Sequence, residues 1–208
     1  MIRVHHLNNS RSQRILWILE EMGLEYDIVS YERDKETRLA PDSLKAVHPL
    51  GKSPVLEDGS VKIAESGAIV DYLVRTYGGG EFGPNPGAQD YNSYVEWLHF
   101  AEGSAMLPFM LALYTGRLGE AAAPLAPRIQ SEIANHLSYM AERLGERDFF
   151  VGDQLTGADI MLVFVLEVAA VSGIIAKFPN LKAYLERMQA RPAYGHALER
   201  GGPYQLGA

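Results

Sequence analysis

The sequence predicts a two-part chain: a small α/β unit of order βαβαββα, followed by an all-helical unit. Three observations carry this. Residues 1–77 switch repeatedly between a two-residue and a 3.6-residue apolar period, as alternating strands and helices do. Gly78-Gly79-Gly80, with Pro84, Pro86 and Gly87, is the densest cluster of structure breakers in the chain. Beyond that cluster, apolar residues recur at helical spacing only. We place a first domain over 1–78, a linker over 79–88 and a helical domain over 89–208.

The elements follow in order. Ile2 to Leu7 reads as a strand, and Ile15, Leu16, Leu19 and Met22 mark one helix face that Gly23 can end. Tyr26 to Tyr31 reads as a second strand, and Pro41 to Val47 as a short helix. Pro54 to Glu57 and Val61 to Ala64 flank Asp58-Gly59, a strong hairpin signal. Ser66 to Tyr77 closes the unit with a helix whose Ile69, Val70, Leu73 and Val74 share a side. In the second half, Tyr94, Leu98, Ala101 and Ala105 define one helix, and Ile129, Ile133, Leu137, Met140 and Leu144 another. Thr156-Gly157-Ala158-Asp159 fits a capping box ahead of a helix apolar on nearly every side, expected at the centre of its domain. Leu181, Tyr184, Leu185 and Met188 form a later helix, with Pro192 read as its limit.

Composition narrows the function. The chain has 208 residues, 47% of them hydrophobic, enough for a substantial core rather than disorder. Its formal charge of −7 and lack of any basic block argue against nucleic acid or an anionic membrane as partner. With no cysteine it has no disulfide, no thiolate metal site and no cysteine nucleophile. Any thiol chemistry must use a sulfur brought by the ligand. The N-terminus lacks the apolar run of a secretory signal, and the most apolar stretch, Ile160 to Ala176, carries Glu167 and falls short of a span. A cytoplasmic protein is expected.

Several motifs fail. Gly51-Lys52-Ser53 lacks the upstream glycine of a phosphate loop, and Pro54 follows where a helix should begin. His5 and His6 alternate across a strand and cannot share a metal, so none is expected.

Three short segments remain. Asn8-Asn9-Ser10-Arg11-Ser12 is a polar turn at a helix start, where hydroxyls and unpaired amides suit an anion such as a thiolate. The same serines also read as ordinary helix caps. Lys52-Ser53-Pro54-Val55 leads into a strand expected at the rim of the sheet. A cis Ser53–Pro54 bond there would turn the Val55 backbone toward a peptide ligand, although trans is the commoner isomer. Glu65-Ser66-Gly67 begins a helix directly after a strand, offering a hydroxyl to a carboxylate and an acid to an ammonium, or simply capping the helix. Together they suit a ligand with an amino-acid end, a peptide middle and an anionic sulfur.

On these segments the chain resembles a cytosolic glutathione transferase along essentially its whole length. His6 to Arg14, His48 to Leu56 and Trp97 to Gly103 resemble the fungal and bacterial branch called Gtt1-like. The resemblance implies a thioredoxin-like first domain and a C-terminal helical bundle, glutathione as co-substrate, a homodimer, and a small electrophile or peroxide as second substrate. It implies that Val55 pairs with the cysteinyl unit after a cis Pro54, that Glu65 and Ser66 hold the γ-glutamyl end, and that Lys52 or His48 meets the glycine carboxylate. Arg11 and Ser53 complete the expected glutathione-binding set. Ser10, Asn9 and Ser12 compete for the sulfur, with Ser10 favoured. A second, hydrophobic pocket is expected from Met106, Leu107, Met110, Tyr114, Phe164 and Tyr204, although such a stripe also reads as core. The implied activity is attack by an activated thiolate on hydrophobic electrophiles. Peroxide or disulfide reduction at the same site, or ligand binding without catalysis, are the alternatives.

Overall fold

A computed structural model describes residues 1–206. Contacts divide the chain into two compact units, residues 1–83 with 187–208, and residues 84–186. The first unit holds β1 (Ile2–Leu7), α1 (Gln13–Glu21), β2 (Tyr26–Tyr31), α2 (Ser43–Val47), β3 (Val55–Asp58), β4 (Val61–Ala64) and α3 (Ser66–Tyr77). This is the expected βαβαββα order. In the four-stranded sheet, ordered β2-β1-β3-β4, β1 runs parallel to β2 and antiparallel to β3. Val4, Leu56, Ile15, Leu16, Leu19, Ile69, Val70 and Leu73 are buried, so the faces of α1 and α3 read from their periodicity are core faces.

Three expectations are corrected here. β3 does not lie at the rim: the Asp58-Gly59 turn folds β4 back along it, so Val55 pairs with His5 on one side and Ala64 on the other. Only the start of β3, not a free edge, is left for an added peptide. β3 also begins at Val55 rather than Pro54, since proline brings no N–H to a ladder. Third, the chain end leaves the helical unit. Pro192 does not limit the preceding helix but opens α9 (Pro192–Gly201), where its missing N–H costs nothing.

Long-range pairs hold α9 on α1. Arg191 grips the Glu21 carboxylate with two hydrogen bonds, 2.6 and 2.8 Å, and Arg200 donates to Glu20 and to the Tyr26 carbonyl while lying 3.7 Å from the Tyr26 ring. A Cβ at Gly201 would come within 2.7 Å of Gln13 Oε1 and 2.9 Å of Leu16 Cδ1. Any larger residue at Gly201 would have to displace the ends of these two buried side chains of α1.

The second unit contains α4 (Tyr91–Phe100), α5 (Met106–Gly116), α6 (Ala126–Leu144), α7 (Gly157–Val171) and most of α8 (Pro179–Gln189), and no strand lies among its described residues. The helical pattern around Ala101 and Ala105 is a π-helical turn, Ala101–Ala105, between α4 and α5. Trp97, Phe150 and Tyr184 are buried and stack edge to face, with ring centroids 4.8 and 5.2 Å apart in successive pairs. The capping box at Thr156 and Asp159 is present, and α7 is buried over most of its length. Asp159 does more than cap. Its carboxylate accepts hydrogen bonds from the amides of Phe150 and Thr156, the Thr156 hydroxyl and the Tyr184 hydroxyl, at 2.8 to 3.0 Å.

Candidate active site at the end of β1

The polar turn after β1 is tied down from three directions. Ser12 stands at the N-cap of α1, yet its hydroxyl caps nothing. It turns back to the strand instead, accepting the Leu7 amide at 3.2 Å and lying 2.9 Å from His6 Nδ1 and 2.8 Å from Ser10 Oγ. Ser10 Oγ in turn accepts the Ser12 amide, and the Ser10 carbonyl takes the Gln13 amide. The amides of Ser12 and Gln13 are thus already paired, which corrects the picture of an open helix start and of plain serine caps. Ser12 is fully buried and Ser10 nearly so.

Asn9 is half-buried in the left-handed region at φ 51°, a conformation asparagine tolerates. Its Oδ1 accepts the Gln205 amide, which leaves its Nδ2 hydrogens as donors. Arg33 clamps the same turn from β2's end, donating to the carbonyls of Asn8 and Asn9. Arg11 is half-buried beside them.

The second segment reaches the same place. Ser53 Oγ donates to the His5 carbonyl at 2.8 Å and accepts the Leu7 amide at 3.1 Å, so Ser53 and Ser12 share one N–H at the end of β1. The Ser53–Pro54 bond is cis, and Val55 follows it, buried, at the start of β3. Lys52 is exposed at this turn, and His48 is half-buried with Nδ1 accepting the Leu50 amide at 3.4 Å.

The third segment is joined to α1 by Arg14. Glu65 is exposed, at φ 69° just before α3, and Ser66 is buried at the helix start. Arg14 Nη1 donates to Ser66 Oγ at 3.1 Å. A guanidinium only donates, so the Ser66 hydroxyl keeps its own hydrogen for an acceptor elsewhere. All three segments therefore gather, within the first unit, around the end of β1 and the start of α1.

The expected pocket residues divide. Met106 and Phe164 are buried, Met110 is half-buried, and Leu107 and Tyr114 are 54% and 57% exposed. Those five belong to the second unit, whereas half-buried Tyr204 clusters with the first. Among the described residues no cluster of His, Asp or Glu is arranged to hold a metal. No helix among them is long and apolar enough to cross a membrane.

Sequence reading missed His6, Arg14 and Arg33. Arg14 had a signal: a charged residue inside the otherwise buried run Gln13 to Leu19 needs a partner. His6 had one too, because the alternation that separates it from His5 sends it to the other face. His5 meets the Tyr31 hydroxyl at 2.9 Å, while His6 meets Ser12 and the Gly201 carbonyl.

Burial lowers the proton affinity of His6, and the hydrogen bond to Gly201 opposes this more weakly. Its folded value therefore lies below the 6.5 of a free imidazole, and the native state binds fewer protons than the unfolded chain in the window beneath it. The neutral ring's stabilisation is complete above that window and is lost as pH falls through it. His6→Gln, which retains a donor for Gly201 but does not titrate, should flatten the fall in Tm between about pH 7 and 5. Identical slopes in the variant and the parent protein would refute this.

Comparison with known proteins gives the same answer from outside the geometry. The family model for the glutathione S-transferase N-terminal domain matches residues 1–75, and that for the C-terminal domain matches residues 100–192. Glutathione S-transferase 3 of Schizosaccharomyces pombe is 33% identical over 96% of this chain and 88% of its own. A crystal structure of a glutathione S-transferase from Actinobacillus pleuropneumoniae shares 37% identity and a TM-score of 0.89 over 97% of this chain and 93% of its own. A sphingomonad glutathione S-transferase complexed with glutathione matches at 25% identity and a TM-score of 0.79, covering 96% of this chain and 98% of the other. With two family models in tandem and relatives aligned from end to end, the chain belongs to the glutathione S-transferase family.

Proposed function

We propose that the protein binds glutathione along the end of β1, ionises its thiol, and directs the thiolate at a small hydrophobic electrophile. The observation that carries this is the convergence of Ser10, Ser53-Pro54-Val55 and Ser66 around the end of β1 and the start of α1. The bound tripeptide of the sphingomonad relative supports the choice of ligand. In our reading the γ-glutamyl carboxylate takes the Ser66 hydroxyl hydrogen, which Arg14 leaves available, and Glu65 takes the ammonium. The Val55 backbone pairs with the cysteinyl unit behind Pro54. Lys52 meets the glycine carboxylate with His48 beside it, and Arg11 adds positive charge to the same rim.

The sulfur sits at Ser10, with Asn9 Nδ2 as the second donor and Ser12 acting from behind. A free thiol with a pKa of about 8.5 is only a few per cent ionised at pH 7, and lowering it two units requires about 2.7 kcal/mol of preference for the anion. One charge-assisted hydrogen bond and the positive end of α1 are of that size. The electrophile is assigned to Met106, Leu107, Met110 and Tyr114, with Phe164 as a further contact. Its reaction is accelerated by proximity to the thiolate. We place the enzyme in the cytoplasm as a homodimer on family grounds.

Purified protein should conjugate glutathione to an aryl halide, and Ser66→Ala should raise the KM for glutathione about tenfold, one charge-assisted bond, with little change in kcat. Turnover of cumene hydroperoxide alone would move the assignment to the peroxidase reaction at the same site. Failure to turn over either substrate would leave a binder and defeat the proposal.

A further inference from the structure

We propose that His6 accepts the proton of the glutathione thiol, handed inward through the hydroxyls of Ser10 and Ser12, and is a positioning residue for the thiolate. The inference rests on the reading just given. Its basis is the unbroken chain of short contacts from Ser10 through Ser12 to His6, 2.8 and 2.9 Å. In this relay the ring hydrogen of His6 sits on Nε2, the ring lying beside Gly201, which leaves Nδ1, 2.9 Å from Ser12 Oγ, as the bare nitrogen. Ser12 then donates to Nδ1 at 2.9 Å in preference to the Leu7 carbonyl, which lies farther off at 3.2 Å. Ser12 Oγ in turn accepts from Leu7 N–H and from Ser10, 2.8 Å away. Ser10 has consequently spent its only hydrogen inward and also takes the Ser12 amide. In this state Ser10 cannot donate to a thiolate; it can only receive the proton of a thiol.

The transfer balances. The S–H bond breaks and an O–H bond forms at Ser10; the former Ser10 proton goes to Ser12, and the former Ser12 proton goes to Nδ1. No electrons are gained or lost by the system. Every hydrogen bond in the chain is then reversed, so Nδ1–H donates to Ser12, Ser12 to Ser10, and Ser10 to the sulfur anion. The hydroxyl that was an acceptor for the thiol has become a donor to the thiolate, with an imidazolium behind it. When the conjugate forms, the reverse shift returns the proton to the leaving group or to water.

The surroundings suit this role. His6 is buried, and in the free protein burial keeps it neutral and ready to accept. The groups that bear on it are the Ser12 hydroxyl from the turn and the Gly201 carbonyl from α9, with the uncharged Gln13 carboxamide packed against Gly201. Among the described residues no carboxylate or cation acts on the ring. His5, its neighbour in β1, pairs with Tyr31 and Glu57 on the opposite face. The thiolate would be the one negative charge the imidazolium faces.

The test uses protein labelled with 15N-histidine at pH 7, with His6→Gln assigning the signal among the six histidines. Glutathione should convert Nδ1 of His6 from a bare to a protonated nitrogen, whereas S-methylglutathione, which has no thiol proton, should not. In parallel, Ser12→Ala should raise the midpoint of the thiolate absorbance of bound glutathione by a unit or more without changing its KM, and Ser12→Thr should restore it. A bound-thiolate band in the parent protein with His6 Nδ1 still bare, or a midpoint unmoved by Ser12→Ala, overturns the relay alone. Absence of any thiolate band from bound glutathione overturns the preceding functional reading and the relay with it.

Discussion

Asp159→Ala should destabilise the protein by about 4 kcal/mol, lowering Tm by about 10 °C. The side chain is completely buried and receives four hydrogen bonds. Thr156 can rotate its hydroxyl toward another acceptor, but the amides of Phe150 and Thr156 are fixed by the backbone, and Tyr184 is itself fully buried. The two backbone donors would be stranded, each at a cost of about 1 to 3 kcal/mol. Burial pushes the Asp159 carboxyl up, and the donated hydrogen bonds oppose that shift. Asp159→Asn should therefore not rescue, because its NH2 would face donors where the carboxylate offered lone pairs. Tyr184→Phe, which removes one donor with its acceptor otherwise satisfied, should cost only about 1 kcal/mol. Thermal unfolding checks all three, and a loss of less than 2 °C for Asp159→Ala would contradict the account.

What could be read from the chain and what could not divide along physical lines. β1, β2 and β4 fall where their two-residue alternation places them, and the capping box at Thr156 and Asp159 is visible because it is local. The position of β3 inside the sheet was not visible, because strand order is decided by pairing between His5 and Val55, residues far apart in sequence. α9 was hidden for a related reason. Pro192 can end one helix or start another, and only the distant partners Glu20 and Glu21 decide it. The site shows the same split. Ser10, Ser53 and Ser66 stand out as polar residues at element ends, and the cis bond at Pro54 agrees with the family resemblance rather than with the base rate. The direction of the Ser12 hydroxyl is illegible, since Leu7, His6 and Ser10 all compete for it with the helix amides it was expected to cap.

Ser10→Ala should reduce kcat by one to two orders of magnitude, about 1.5 to 3 kcal/mol, with a smaller effect on glutathione binding. The reason for the asymmetry is where the hydroxyl acts. The tripeptide is proposed to be held by Ser66, Glu65, Val55 and Lys52, none of which depends on Ser10, whereas the anionic sulfur gains a donor from Ser10 only after ionisation. Loss of that donor lowers the thiolate fraction, so the deficit should shrink as pH rises toward the free thiol value of about 8.5. Raising the pH would then rescue the variant, which a simple packing defect would not allow. Asn9→Ala provides the opposing case. Its Nδ2 hydrogens stand on a half-buried turn, and its Oδ1 is already engaged by Gln205. If kcat falls in Asn9→Ala and is unchanged in Ser10→Ala, the sulfur lies against the carboxamide. The Ser10 assignment then fails, and the inward chain of hydroxyls behind it becomes a structural brace between β1 and α1 rather than a route for the proton.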